Sequence, residues 1–155
     1  MGILESGWRA VTRVNKEVVK RLINEAEEAL DEIKKILAVD LSSFVNNRSL
    51  RFSLRYSIVM VVEALADLAV AILEKDFGVA VESYREAFLR LAEKGVINAE
   101  IAQSMVRLAG LRNIIVHRYW SVDDMSIYND ARRSGVEAVE RFIEEVLGYV
   151  ETKDP

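Results

Sequence analysis

The sequence contains no cysteine and a single proline, Pro155, at its carboxyl end. Without cysteine, disulfides, thiolate metal ligands and cysteine nucleophiles are all excluded, and the composition fits a reducing compartment such as the cytoplasm. Seven glycines are too few for the closely spaced turns of a β-sandwich or barrel, which recur every ~8–12 residues. The composition therefore predicts an all-α chain with long helices and few turns.

Histidine is nearly absent, since His117 is the only one in 155 residues. Proton transfer near neutral pH therefore depends on His117, or on a carboxylate or lysine with a strongly shifted pKa. The net charge of −4 argues against a protein that coats nucleic acid through a broad cationic surface. A small phosphate-binding site remains compatible with this charge.

Long apolar runs that would mark a signal peptide or a membrane span are also missing. Residues 1–13 have no sustained apolar core. The longest apolar stretch, residues 58–73, contains Glu63 and Asp67 and is shorter than the ~20 residues that cross a bilayer. We therefore expect one domain over residues 1–155, in the cytoplasm and with no membrane partner, in which this stretch is a buried helix.

Apolar residues at three- and four-residue steps predict four main helices. Ser83, three residues before Glu86, has the spacing of a capping box and predicts an additional short helix that Gly95 ends. Residues 40–47 are expected to form a loop, and Gly110 is expected to interrupt the third main helix. The architecture predicted is an up-and-down four-helix bundle with an extra short helical hairpin. The expected helices cover residues 15–39, 49–75, 83–92, 99–108, 111–119 and 125–150.

The side chains best suited to chemistry lie in residues 111–120, LRNIIVHRYW. Arg112, Asn113, His117 and Tyr119 form an R-N-x3-H-x-Y pattern. A guanidinium can stabilise charge on phosphoryl oxygens and an imidazole can move protons, a combination that suits phosphodiester cleavage. In RNA the neighbouring 2′-hydroxyl can be the nucleophile, so such cleavage requires no metal.

Geometry places conditions on this site. Arg112 and His117 lie about 140° apart around an unbroken helix, so we expect the helix to unwind near His117. Cleavage also needs a general base and a general acid, and a two-fold homodimer would supply a second histidine. A histidine beside Ile115 and Val116 is, however, often a structural residue, and spacing alone leaves both interpretations open.

Several segments together resemble HEPN-domain proteins of the HepT type, the toxins of HepT–MntA toxin–antitoxin pairs. The R-N-x3-H-x-Y pattern at this position in an all-helical chain carries most of the likeness, which extends over roughly residues 18–150. The matching segments are Ala109-Gly110, Arg112 to Tyr119, Trp120 to Asp123, Glu63 to Asp67, and Ser83 to Phe88 with Gly95.

This resemblance implies a metal-independent endoribonuclease toxin that acts as a homodimer, alone or within a larger hetero-oligomer. Arg112 and His117 would be the catalytic pair and Asn113 their polar neighbour, and cleavage would need no cofactor. The resemblance further implies that an MntA-like nucleotidyltransferase antitoxin uses ATP to transfer AMP to Tyr119, which silences the toxin. The added phosphate would place negative charge and bulk where the RNA phosphate must lie.

Three arginines at the start of the second predicted helix form a further candidate site. Arg48, Arg51 and Arg55 recur at three- and four-residue steps, and cations there oppose the helix dipole. One interpretation is an RNA-binding track that Arg118 extends. The other is a solvated face with carboxylate partners, and the sequence leaves both open.

Two acids, Glu63 and Asp67, lie one turn apart in the most apolar predicted helix, where an unpaired charge is costly. We expect one of them to pair with Arg112 or Arg55 and to orient it, which gives Glu63 a supporting role. Two carboxylates without nearby histidines make a poor metal site, so no metal ligand is predicted.

A non-catalytic function is the alternative to the nuclease. The chain would then be a helical subunit that presents substrate or nucleotide to a separately encoded nucleotidyltransferase. Both interpretations predict a dimer and the same partner. They differ on His117, because its replacement by alanine abolishes RNA cleavage only if the protein is a nuclease.

Overall fold

The structure, a computed structural model, describes residues 14–153, so the expectation for residues 1–13 lies outside it. Every regular element in the described part of the chain is helical, which confirms the predicted all-α fold. A 3₁₀ turn, Tyr119–Ser121, and a π-helical segment, Ala131–Gly135, accompany the α-helices. These are α1 Lys16–Leu37, α2 Leu41–Val45, α3 Arg48–Phe77, α4 Tyr84–Glu93, α5 Ala99–His117, α6 Asp124–Asp130 and α7 Val136–Lys153.

Short polar side chains cap the helices and explain where they begin. Each capping side chain accepts a hydrogen bond from a backbone N–H in the first turn, which satisfies a donor that has no partner within the helix. Gly78 (φ 63°) ends α3 and Gly95 (φ 78°) follows α4, both in the left-handed region that glycine tolerates. The caps are Asn15, Asp40, Asn47, Ser83, Asn98 and Asp123.

Two expectations from the sequence are wrong. Residues 40–47 contain the short helix α2, because Asp40 caps it and Phe44 is fully buried against the ring of Tyr128 at 4.8 Å. Gly110 does not interrupt α5, which runs unbroken to its end. Glycine in a helix costs only about 1 kcal/mol relative to alanine, and the buried neighbours Ala109 and Ile115 favour continuity through packing.

Helix α3 is the centre of the bundle. It packs along α1, contacts α4 and α5, and buries side chains around much of its circumference. By length and composition this helix could cross a membrane, but 61% of its most apolar window is buried inside the protein. A core helix has the same properties, as the sequence predicted for this stretch.

The antiparallel order of the long helices brings four helix ends together at one end of the bundle. The end of α1, the start of α3, the end of α5 and the start of α6 meet there. The Tyr128 hydroxyl donates hydrogen bonds to the carbonyl oxygens of Leu37 (3.3 Å) and Val39 and so ties α6 to the end of α1. Helix α6 continues through the π-helical segment into α7 as one long final helix, close to the predicted 125–150.

Candidate functional site

Arg112, in the last two turns of α5, is held by a carboxylate and an amide. Its Nε and Nη2 donate to Glu63 Oε2 at 3.2 and 2.8 Å, and Nη1 donates to Asn113 Oδ1 at 3.0 Å. One of the two acids of α3 was expected to pair with Arg112 or Arg55, and the structure shows Glu63 paired with Arg112. A guanidinium has five N–H groups, so one N–H on each terminal nitrogen is left without a partner among the described residues. Guanidinium N–H donors of this kind suit a phosphate.

The surroundings of Arg112 are aromatic and acidic. Its guanidinium lies 5.2 Å from the centre of the Tyr84 ring, a favourable cation–π arrangement. Partial burial and the negative charge of Glu63 raise the pKa of Asp67, one turn further along α3. Burial also raises the pKa of Tyr84. Arg112 thus occupies a partly desolvated pocket whose charge it helps to balance.

His117 is the last residue of α5 and is exposed. Among residues 14–153 its imidazole has no hydrogen-bond partner, and the adjacent Val116 is also exposed. His117 is therefore not a buried structural histidine.

The helix break expected near His117 lies after this residue, so it does not bring Arg112 and His117 together. Helix α5 ends after His117, so Arg112 and His117 remain about 140° apart on one helix. Arg112 faces α3 and α4, whereas the imidazole is open to solvent. One chain alone therefore does not assemble the predicted pair.

Tyr119 and Trp120 form an exposed aromatic turn directly after the helix. Their side chains are 63% and 71% exposed, and the two rings meet edge to face with centroids 5.3 Å apart. Arg55 Nη1 donates to the Tyr119 carbonyl oxygen at 3.3 Å and so links this turn to α3. The predicted acceptor of AMP is thus accessible from outside the bundle.

Asp124 engages two members of the predicted arginine track. Arg55 donates to its two carboxylate oxygens through Nε and Nη2, both at 2.7 Å, and Arg51 Nε lies 3.4 Å away. The hydrogen-bonded carboxylate raises the pKa of Arg55. Arg48 and Arg118 are exposed. Arg51 and Arg55 therefore have a carboxylate partner, as one of the two interpretations expected. Contact of these arginines with RNA stays a prediction.

Asp124 could not be predicted as a partner for α3, because its local role in the first turn of α6 accounts for an acid there. Within the described residues, no group of three or more His, Asp and Glu side chains is close enough to hold a metal ion.

A groove of about 550 Å³ lies beside the site and was not predicted. Its floor is apolar and comes from α1 and α3, and its walls are α5 and the α6–α7 helix on either side of the π-helical segment. Arg112, His117 and Tyr119 do not line it. The groove is therefore distinct from the residues that carry the proposed chemistry.

Residues 26–146 match the family described as ribonuclease HepT-like. The chain belongs to this family. The chain is also similar to a protein of Archaeoglobus fulgidus named "Putative RNase", which is 34% identical over 104 residues, or 64% of this chain and 74% of the relative. The resemblance to HepT-type proteins is thereby confirmed.

Solved structures share the fold of this HepT-like chain. The tri-AMPylated HEPN toxin of Shewanella oneidensis, in complex with an MNT antitoxin, has a TM-score of 0.80 at 22% identity and covers 86% of this chain and 99% of that one. YutE of Bacillus subtilis, a cytosolic protein of unknown function, has a TM-score of 0.68 at 17% identity and covers 84% and 91%. These similarities confirm the all-α bundle.

Proposed function

We propose that the protein is the toxin of a toxin–antitoxin pair and cleaves RNA without a metal, using the 2′-hydroxyl as nucleophile. The observation that carries this proposal is the fixed position of Arg112. Glu63 and Asn113 accept three of its hydrogen bonds, and its two remaining N–H groups are left to bind a phosphate. His117, exposed and without an intramolecular partner, would transfer protons. Membership of a ribonuclease family and the RNase name of the Archaeoglobus relative support this chemistry.

A homodimer would complete this site, because one chain holds Arg112 and His117 on different faces and has one histidine. Gly110 supports this step. A Cβ at Gly110 would meet no atom within 4 Å, so the packing of the chain itself does not require glycine. Seven residues separate Gly110 from His117, which puts both on one face of α5 with Asn113 between them. A second copy that approached this face closely would explain the glycine.

Regulation by AMP transfer is consistent with the exposure of Tyr119. The phenol is accessible at the surface, as a partner enzyme would require. The Shewanella toxin that shares the fold is tri-AMPylated and bound to an MNT antitoxin. By analogy, we infer that an MntA-like nucleotidyltransferase uses ATP to modify Tyr119 in the cytoplasm, within a complex that contains the homodimer.

The nuclease proposal is tested with purified protein and end-labelled RNA in EDTA. Wild type should produce fragments that end in 2′,3′-cyclic phosphate, whereas Arg112→Ala and His117→Ala should not. Arg133→Ala is the matched control, since it removes an exposed arginine from the π-helical segment, away from the site. Equal cleavage by wild type and His117→Ala would refute the proposal, and absence of cleavage by wild type would favour the non-catalytic subunit.

The regulatory proposal is tested by intact-mass analysis after co-expression with an MntA-like nucleotidyltransferase. Wild type should gain mass in multiples of one AMP group, and Tyr119→Phe should not. Adducts on Tyr119→Phe would place the modification elsewhere.

A further inference from the structure

The exposed large apolar side chains of the described residues gather at one end of the bundle. All of them lie on the first turns of α3, at the end of α5, in the turn that follows, or at the start of α6. Isolated exposed apolar residues are ordinary, but a contiguous group marks an interaction surface. They are Phe52, Tyr56, Val116, Tyr119, Trp120 and Met125.

Arginines alternate with the aromatic rings on this surface. The guanidinium groups of Arg48 and Arg55 lie over the ring of the exposed Phe52, at 5.4 and 5.3 Å from its centre. The hydrogen bond from Arg55 to the Tyr119 carbonyl oxygen joins the α3 aromatics to the Tyr119–Trp120 turn. Arg55 therefore links the aromatic residues of α3 to the aromatic turn after α5.

This surface is cationic although the chain as a whole carries −4. Four arginines, from the start of α3 and the residue after α5, alternate with its apolar residues along the chain, and Asp123 and Asp124 precede Met125. Asp123 accepts hydrogen bonds from the N–H and hydroxyl of Ser126, and Asp124 is occupied by Arg55. The guanidinium groups of Arg48 and Arg118 have no carboxylate partner within residues 14–153 and stay available to a polyanion.

The surface leads to Arg112. Tyr56 and Glu63 are seven residues apart on α3, so they share a face and are separated by about 10 Å along the helix axis. Glu63 holds Arg112. The antiparallel α5 ends at His117, five residues beyond Arg112. The Tyr119 carbonyl oxygen in the turn that follows accepts a hydrogen bond from Arg55, which precedes Tyr56 in α3.

We propose that Phe52, Tyr56 and Trp120 form a stacking platform that binds unpaired bases of the RNA and delivers the adjoining phosphate to Arg112. Interleaved aromatic rings and cations are the usual means of binding single strands, since every base offers a face for stacking. Paired bases are hidden in a duplex, so the platform selects single-stranded segments. This inference rests on the proposed nuclease function and adds a substrate class to it.

The decisive experiment uses tryptophan fluorescence. The chain has two tryptophans, so Trp8→Phe leaves Trp120 as the only one, and His117→Ala prevents cleavage during the titration. A mixed-sequence single-stranded RNA oligonucleotide should quench Trp120 to saturation. The same strand in a duplex, or with abasic sugars, should quench it far less. Equal quenching by all three probes would overturn stacking.

Variants of the platform give a second readout. Phe52→Ala and Trp120→Ala should each weaken single-strand binding by about 5- to 150-fold, the range found for loss of one stacked base. Trp120→Phe should retain most of the affinity because it keeps a ring. Met125→Ala is the matched control, since Met125 is 47% exposed on the same surface, like Phe52, but has no ring. Equal loss in Met125→Ala would show general apolar contact and overturn the proposal.

The outcomes separate this inference from the proposed function. If wild type cleaves RNA while the alanine variants bind and cleave equally well, the platform is refuted and the nuclease stands. If wild type fails to cleave but single strands quench Trp120, the nuclease is refuted and the platform stands. If Trp120→Ala changes the oligomeric state without RNA, measured by light scattering, the surface is a protein interface and the inference is wrong.

Discussion

Replacement of Asp124 by alanine should destabilise the protein and release the aromatic turn. Asp124 receives two hydrogen bonds of 2.7 Å from Arg55. The side chains of Arg55 and Asp124 are only 18% and 13% exposed. Because Arg55 also binds the Tyr119 carbonyl oxygen, this pair fixes the Tyr119–Trp120 turn against α3.

The expected cost follows from this burial. A hydrogen bond between charged groups contributes about 1.5–3 kcal/mol, and removal of one partner from a fully buried pair costs about 3–5 kcal/mol. Since water still reaches part of Arg55, we expect Asp124→Ala to lower the free energy of unfolding by about 2–3 kcal/mol. In a chain of this size that change lowers Tm by about 5–10 °C.

Urea unfolding of wild type, Asp124→Ala, Arg55→Met and the double variant measures the coupling directly. We expect a coupling energy of about 1.5–2 kcal/mol for this charge-assisted pair. Glu140→Ala is the matched control: its bond to Lys34 is also short, at 2.8 Å, but the two side chains are 48% and 46% exposed. Its loss should cost under about 1 kcal/mol. If Asp124→Ala costs no more than Glu140→Ala, Asp124 does not hold the turn.

Three further predictions concern the rest of the site. Glu63→Ala should lower the initial rate of RNA cleavage about 10- to 100-fold, because Arg112 loses its orientation, and Glu63→Asp should restore part of it; an unchanged rate in Glu63→Ala would contradict this. The pKa of Asp67 is raised in the folded state, so its ionisation costs stability as pH rises through that pKa. Asp67→Asn should therefore stabilise the protein at pH 7 by less than about 1 kcal/mol, given solvent screening. This advantage should disappear in acid unfolding experiments below about pH 3.5, and a stability difference that persists there would refute the assignment. Gly110→Leu should keep the helical circular dichroism signal while light scattering shows a shift from dimer to monomer; a variant that stays fully dimeric would exclude close approach at Gly110.

The helical framework could be predicted from sequence because its signals are local. Periodic apolar residues mark each long helix, and caps such as Asn47, Ser83 and Asn98 lie directly before the turn that they stabilise. An ion pair between an acid of α3 and Arg112 or Arg55 was also predictable, since a carboxylate in a buried helix requires a cation. Its identity as Glu63 with Arg112 came only from the structure.

The contacts that shape the site were less predictable because they depend on tertiary structure. Arg55 and Asp124 are 69 positions apart, and each has an ordinary local explanation. Helix α2 forms because Phe44 finds a buried place against Tyr128, which no local pattern near residue 44 reveals. Gly110 was expected to end a helix, yet packing on both sides of it outweighs a small propensity cost.

Antiparallel topology explains why the exposed aromatic residues and the catalytic candidates share one end of the bundle. Glu63 and Arg112 lie side by side on α3 and α5. Because these helices are antiparallel, residues before Glu63 on α3 lie at the same level as residues after Arg112 on α5. The 3₁₀ turn then holds Trp120 outside the core, where α5 has ended and α6 has not begun. A site built in this way needs no broad basic surface to bind a strand, so the proposed action on RNA is compatible with a net charge of −4.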